Sequence, residues 1–321
     1  MKQDYLWDRT GPPDLEIQRL EETLAPLRYR IRPLEEAPPR STPVWRVAAA
    51  AAVVMAVAGA VWRVGQPAPA VSTPWAVESV EGQARFGSQQ AARRMAVPGG
   101  AAVRTGADGK LTLVAEETGR VDLGPDSILH ASSGRKLALE RGGLHAYIWA
   151  RPGQFVVDTP SARAIDLGCE YTLTVDARGD GRLRVSLGWV AFRYGGHESF
   201  IPAGAECATR ARGGPGVPYF EDAPEGLQRA VARFDANGAG ALGTILAEAR
   251  GRDGLTLWHL LTRVRPADRG LVFDRLAQLV KLPAEVTRSA AVQGEAKTID
   301  LCWDALGLED TDWWRGWERK W

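Results

Sequence analysis

The chain has 321 residues, enough for two or three domains, and its 45% hydrophobic and 25% charged residues are ordinary for a globular protein. Its 40 basic and 39 acidic side chains nearly cancel, which argues against a protein that coats nucleic acid, and we expect no direct nucleic-acid partner. A mean hydropathy of -0.21 excludes a polytopic membrane protein and leaves room for a single span.

Residues 1–43 are predicted to form an N-terminal segment with one short helix. Pro12 and Pro13 precede a run of apolar residues at roughly helical spacing. One short helix cannot bury a core of its own, so the segment is either disordered or folds on a partner. In the second case, the candidate partner-binding residues are Tyr5, Leu6, Trp7, Leu20, Leu24 and Leu27.

An uncharged run of sixteen residues extends from Val47 to Trp62. As a helix it would rise about 24 Å, somewhat less than a hydrocarbon core of ~30 Å. Residues 44–64 close this gap if the flanking arginines snorkel toward the headgroups, so they are predicted to form one transmembrane helix. The alternative is a buried alanine-rich helix in a soluble core.

The arginines on either side of this run are unevenly distributed. Five precede it within twenty residues, whereas Arg63 is the only basic residue among the twenty that follow. Because basic residues accumulate on the cytoplasmic side, residues 1–43 are predicted to be cytoplasmic and the chain after residue 64 to be exterior. The five preceding residues are Arg28, Arg30, Arg32, Arg40 and Arg46.

Residues 65–74 are predicted to be a linker, and residues 75–210 change to short alternating segments separated by turns. Leu183, Val185 and Leu187 show the two-residue period of a strand with one buried face. About ten such segments with short turns predict an all-β domain built as a sandwich, a roll or a solenoid.

Residues 211–224 are predicted to be a second linker, and residues 225–321 a small helical bundle. Its tail is rich in tryptophan, and Trp313, Trp314 and Trp317 fit one helical face. These rings either pack on the bundle or form an aromatic surface for a sugar or a partner. The predicted helices are 225–236, 240–250, 255–264, 267–280 and 296–306, interrupted by Gly and Pro residues.

No pattern typical of catalysis or metal binding is present. The four histidines have no His or Cys at metal-ligand spacing, and the nucleophile elbow, the phosphate loop and the dinucleotide fingerprint are all missing. We therefore expect neither an enzyme nor a bound metal or cofactor.

The three cysteines predict a disulfide within the β region. Cys169 and Cys207 both fall in the exterior part of the chain, where an oxidising compartment would allow a bridge between them. The alternative is two buried thiols that behave as small hydrophobes. Cys302, in the helical region, is expected to be a buried free thiol.

The segments FVVDTPSARAIDLGCEYTLTVD, from Phe155 to Asp176, LRVSLGWVAFRY and IPAGAEC resemble the FecR family. So does the earlier stretch VRTGADGKLTLVAEETGRVDLGPDSIL, and together the resemblance covers residues 75–210. Cys169 departs from the family pattern, which has Thr after the first motif glycine, and its pairing with Cys207 would tie two neighbouring strands. The matching family positions are Thr159, Pro160, Gly168, Gly188 and Gly204.

The resemblance implies a single-pass regulator in a bacterial inner membrane. Its cytoplasmic segment would bind an extracytoplasmic-function sigma factor, and its periplasmic β domain would receive a signal. This chain departs from the family because residues 1–46 are short and contain neither Cys nor His. The alternative function is an anchored envelope scaffold whose exterior part binds an envelope protein or a glycan.

Overall fold

The computed structural model describes residues 14–27 and 74–308. These residues belong to two separate units, one within residues 1–69 and the other within residues 70–321. In the first unit, helix α1 (Leu15–Leu24) continues into a 3-10 turn over Ala25–Leu27. Asp14 caps α1, because its Oδ1 accepts a hydrogen bond of 3.3 Å from the backbone N–H of Glu16.

Seventeen strands occupy most of the chain between residues 76 and 220. They form two sheets that share one long strand, and all pairings are antiparallel except one between β8 and β9. The strands are β1 (Ala76–Glu81), β2 (Ala84–Phe86), β3 (Gln89–Gln90), β4 (Ala102–Thr105), β5 (Lys110–Ala115), β6 (Gly119–Leu123), β7 (Ile128–Ser133), β8 (Lys136–Ile148), β9 (Val156–Asp158), β10 (Arg163–Asp166), β11 (Glu170–Val175), β12 (Gly181–Leu187), β13 (Trp189–Tyr194), β14 (His197–Pro202), β15 (Ala205–Arg210), β16 (Gly214–Pro215) and β17 (Tyr219–Phe220).

The strand order defines the architecture. The first sheet runs β1-β5-β6-β8-β11-β12-β15, and β16 and β17 both pair with β15. The second sheet runs β3-β2-β4-β7-β8-β9-β10-β13-β14. This mainly antiparallel pairing is typical of a sandwich or roll, and it confirms the predicted mainly β fold.

Strand β8 passes from one sheet to the other at Gly142. Its first half pairs with β7 in the second sheet, and its second half pairs with β6 and β11 in the first. Gly142 has φ of 101°, and a Cβ there would lie 2.2 Å from Oγ of Ser127. A residue without a side chain is therefore needed where the strand bends.

The inward faces of both sheets contribute to one contiguous hydrophobic core. Leu113 and Leu173 of the first sheet and Leu139 and Phe192 of the second are completely buried. The alternation of buried and exposed residues along β11 and β12 follows from the pleat of the strands.

The second unit also contains the C-terminal helical region. Its helices match the five predicted ones to within a few residues, and one further short helix, α6, was not predicted. The helices are α2 (Glu225–Asn237), α3 (Leu242–Glu248), α4 (Gly254–Arg263), α5 (Arg269–Leu279), α6 (Arg288–Gln293) and α7 (Ala296–Asp304).

Residues 211–224, predicted as a linker, contain the two short strands β16 and β17. Pro215 pairs with Thr209, and Tyr219 pairs with Glu206, so this segment completes the edge of the first sheet. Residues 214–220 are buried throughout. The Gly and Pro residues that suggested a linker serve instead to turn the chain tightly back onto β15.

Within the described residues, no helix is both long and apolar enough to cross a membrane. The predicted span at residues 44–64 lies outside the described residues. The tail residues Trp313, Trp314 and Trp317 also lie outside them.

Candidate functional site

Helix α1 exposes a leucine face to solvent. Leu20 and Leu24 are 58% and 52% exposed, and Leu27 in the following turn is 78% exposed. At 100° per residue these three side chains project from one side of the helix, whereas Leu15 projects from the opposite side. We call Leu20, Leu24 and Leu27 the leucine face. The other predicted partner-binding residues, Tyr5, Leu6 and Trp7, lie outside the described residues.

The family-motif residues Thr159 and Pro160 form the turn between β9 and β10. Oγ1 of Thr159 accepts a hydrogen bond of 2.9 Å from the N–H of Ala162, and the Thr159 N–H donates to the carbonyl of Ala162. Pro160 packs against Gly179, where a Cβ would lie 2.9 Å from the proline ring. These two motif residues therefore shape a turn.

The motif glycines lie at the opposite end of β10, where three turns meet. Gly168, Gly188 and Gly204 all have positive φ, between 70° and 87°. A Cβ on Gly188 would lie 2.0 Å from the carbonyl oxygen of Gly168, so these two turns are in direct backbone contact. The Gly188 carbonyl accepts a hydrogen bond of 2.9 Å from Ala203 in the third turn. The five motif residues therefore lie in two places: Thr159 and Pro160 at one end of β10, and the three glycines at the other.

The predicted disulfide between Cys169 and Cys207 is wrong, because both residues are buried free thiols. Cys207 lies opposite Leu183 on β12, which in turn lies opposite Leu173 on β11. Cys169 is therefore two strands away from Cys207 and four residues further along, well beyond the ~7 Å Cα separation that a disulfide spans. Cys302 is also a buried free thiol, as predicted.

Cys169 and Cys207 each lie in a local environment that keeps the thiol protonated. Sγ of Cys169 donates to Oδ2 of Asp166 at 2.5 Å, and burial raises the pKa of this thiol well above its usual range. Sγ of Cys207 lies 3.3 Å from the carbonyl oxygen of Gly216, and burial raises its pKa to about 12. Neither group is a thiolate at neutral pH, so neither has the character of a catalytic nucleophile or a thiolate ligand.

Asp166 is a buried carboxyl group, and only 1% of it is exposed. Its Oδ1 accepts a hydrogen bond of 2.8 Å from the N–H of Gly168, and it links the end of β10 to the motif glycines. Burial raises the pKa of Asp166 to about 7, although the hydrogen bonds from Cys169 and Gly168 act in the opposite direction. The carboxyl is therefore mostly protonated in the folded protein at mildly acidic pH.

Replacing Asp166 by Asn is expected to change how stability depends on pH. The folded pKa of about 7 exceeds the ordinary value of 3.8, so the folded protein holds this proton more tightly than the unfolded chain does. The resulting stabilisation is complete below pH 3.8 and is lost as the pH rises through 7. Between pH 5 and pH 8 the free energy of unfolding of the wild-type protein should fall by about 3 kcal/mol relative to that of the variant. Urea unfolding at both pH values measures this difference. If the wild type and the variant differ in free energy of unfolding by the same amount at pH 5 and at pH 8, the raised pKa is contradicted.

Helix α4 caps the backbone of the edge strand β14. Nε2 of His259 accepts a hydrogen bond of 3.0 Å from the N–H of Phe200, and Nη2 of Arg263 donates to the carbonyl of Glu198 at 3.0 Å. Nδ1 of His259 lies 2.8 Å from the carbonyl of Leu255, and burial lowers the pKa of this histidine to about 3. A neutral imidazole protonated on Nδ1 satisfies both contacts.

A cluster of aromatic rings joins the helical region to the second sheet. Trp303 of α7 lies 4.6 Å from Trp258 of α4 and 5.7 Å from both Phe200 of β14 and Trp189 of β13, measured between ring centroids. Nε1 of Trp258 donates to the carbonyl of Ile299 at 2.8 Å, so the buried indole is satisfied. The sequence predicts that Trp303 lies in a helix but contains no sign of this contact.

The described residues contain no group of three or more His, Cys, Asp or Glu side chains that could hold a metal ion. His145 lies between two carboxylates on the outer face of the first sheet, with Nε2 3.0 Å from Glu170 and Nδ1 3.8 Å from Asp122. This network is open to solvent and belongs to a row of surface ion pairs.

Residues 101–190 match the sequence profile described as FecR protein. This match confirms the resemblance to the FecR family over that part of the chain. No protein in the curated collection of known proteins matches this chain.

Two crystal structures of candidate anti-sigma factors from Parabacteroides distasonis show partial similarity to this chain. Both are 14% identical to it with a TM-score of 0.34. The aligned regions cover 38% and 41% of this chain and 60% and 63% of those proteins. The similarity therefore spans less than two thirds of either structure.

Proposed function

We propose that this chain is a single-pass signalling protein of a bacterial inner membrane, in which a periplasmic FecR-like β domain regulates a cytoplasmic sigma factor. The FecR match at residues 101–190 supports a regulatory, non-enzymatic role. The span at residues 44–64 and the arginines before it support a cytoplasmic N-terminal segment. The partner would be an extracytoplasmic-function sigma factor.

The observation that carries this proposal is the leucine face of α1. A short helix with three leucines exposed on one side lacks a core of its own, and such a face is buried when the helix docks into an apolar groove. Acidic and basic residues occupy much of the remaining surface of α1, which keeps the free segment soluble. Residues 1–43 would therefore bind the sigma factor through this face.

The test is recovery of a sigma factor with the tagged full-length chain, purified in a mild nonionic detergent from cells that carry its gene. Replacing Leu20 and Leu24 together by Asp should reduce the recovered sigma factor at least tenfold. Each buried leucine contributes about 1.5–3 kcal/mol to such a contact, and 1.4 kcal/mol corresponds to a factor of ten. Quantitative mass spectrometry of the bound fraction measures the change.

Leu15→Asp is the matched control, because it makes the same chemical change on the opposite side of α1. It should leave the recovery unchanged. Equal loss in the control and the double variant would contradict the leucine face as the contact. A wild-type chain that recovers no sigma factor would contradict the sigma-factor partner itself and would favour the envelope-scaffold alternative.

A further inference from the structure

Three arginines lie in one line across the second sheet. Arg85 of β2 lies directly opposite Arg104 of β4, and the line continues through Ile128 of β7 to Arg141 of β8. Because residues opposite each other in paired strands project from the same face of a sheet, the three arginine side chains share one face. We call Arg85, Arg104 and Arg141 the arginine row.

The arginine row differs from other arginines on the strands in its partners. The arginines on β6, β10, β12 and β13 each pair with a carboxylate. Among the described residues, by contrast, the side chains of Arg85, Arg104 and Arg141 make no ion pair and no hydrogen bond. Glu140 precedes Arg141 in the chain, but it pairs with His130 at 3.2 Å. Like charges directly opposite each other in paired strands are destabilising, so the row has a cost that a bound anion would relieve.

The arginine row lines a cavity of about 310 Å³. Gln83 and Gln90 add neutral amide groups to its wall, and Gln90 lies directly opposite Arg85, so it extends the row onto β3. Within the described part of the chain, no Asp or Glu side chain lines this cavity. Its volume is at the small end of ligand sites, with room for one phosphate and a short organic group. The lining therefore favours a small anion that accepts hydrogen bonds.

We propose that this cavity binds a small phosphate monoester, whose phosphate group is held by Arg85, Arg104 and Arg141. A planar guanidinium group can donate two parallel hydrogen bonds to phosphate oxygens, and such charge-assisted bonds are stronger than neutral ones. A monoester carries about 1.5–2 negative charges at pH 7 and three terminal oxygens, so it offsets most of the charge of the row. A phosphate diester brings only one negative charge and two terminal oxygens. The arginine row therefore favours the monoester.

Two probes distinguish a free phosphate monoester from the phosphate of a lipid headgroup. The probes are glycerol 3-phosphate, a monoester, and glycerophosphoglycerol, the diester headgroup of phosphatidylglycerol without its acyl chains. Each is titrated into the full-length chain in nonionic detergent at about pH 8 and low ionic strength, where the monoester is a dianion. Phosphorus NMR measures the dissociation constants. The monoester should bind about tenfold more tightly or better, whereas equal or tighter binding of the diester would overturn the proposal and favour a lipid headgroup.

Arg104→Gln should weaken the binding of glycerol 3-phosphate about tenfold or more, because it removes the central guanidinium group of the row. Arg85→Lys should weaken it as well, because the charge stays but the planar fork is lost. Arg233→Gln is the matched control. Arg233 is also exposed and forms no ion pair with a described residue, but it lies on α2 and does not line the cavity. This control should leave the dissociation constant unchanged.

A wild-type chain that does not bind glycerol 3-phosphate would overturn the proposal. Equal losses of affinity in Arg233→Gln and Arg104→Gln would overturn it too, because binding would then follow the overall charge of the protein. The same holds for unchanged affinity in both Arg104→Gln and Arg85→Lys when thermal unfolding shows that these variants are folded. No residue of the leucine face enters this experiment, so its failure leaves the sigma-factor experiment unaffected.

Discussion

Replacing Gly188 by Ala is expected to destabilise the β domain by about 2–5 kcal/mol. Gly188 has φ of 70°, a conformation that costs a residue with a Cβ about 1–2 kcal/mol. In addition, the new Cβ would lie 2.0 Å from the carbonyl oxygen of Gly168, which is backbone and cannot rotate away. The turns before β11 and β13 would have to separate. Urea unfolding followed by tryptophan fluorescence should show a lower midpoint with little change in slope.

Gly195→Ala separates the contribution of the backbone conformation from that of the contact. Gly195 also has a positive φ, 56°, but a Cβ there would meet no atom within 4 Å. This variant should lose only the conformational cost of about 1–2 kcal/mol. If both alanine variants lose the same stability, the contact between the Gly168 and Gly188 turns does not constrain the fold.

Replacing Trp303 by Ala is expected to cost about 3–5 kcal/mol, the range for removing a large buried aromatic side chain. Trp303 is 2% exposed and contacts rings from α4, β13 and β14, so its loss opens a cavity between the helical region and the second sheet. Unfolding followed by far-UV circular dichroism at 222 nm and by tryptophan fluorescence should show the helices melting before the strands.

Trp149→Ala is the control for the loss of an indole as such. Trp149 is 49% exposed, its ring contacts Tyr147, and its Nε1 donates a hydrogen bond of 2.7 Å to the carbonyl of Glu116, so its removal leaves no cavity in the core. The free energy of unfolding should change by less than about 1 kcal/mol. A Trp303→Ala protein that unfolds in one transition at the wild-type midpoint would contradict the role given to the aromatic cluster.

Local patterns predicted most of the secondary structure. The two-residue period identified β12, and the structure confirms that Leu183 and Val185 are buried. Leu187 follows the same period but is 56% exposed, because the register between β11 and β12 shifts beside Glu170. A bulge depends on the partner strand, so the sequence of β12 alone contains no sign of it.

Contacts between distant segments could not be predicted in the same way. The disulfide prediction required the register between β11, β12 and β15, and four turns separate β11 from β15 along the chain. His259 and Arg263 have the spacing of neighbours on one helix face, but the strand they cap lies about sixty residues earlier in the chain. In the candidate site, the exposed leucine face was predictable because it needs only helical periodicity.

The capping of β14 by α4 has a consequence for how this protein can be divided. The FecR match covers residues 101–190 and so excludes β14, β1, β2 and β3, which complete the two sheets. A fragment cut after Arg210 would leave the Phe200 amide and the Glu198 carbonyl without their caps. Exposed edges of this kind recruit strands from other molecules. The segment that matches the family is thus smaller than the segment that protects this edge strand, because the protecting side chains lie on α4.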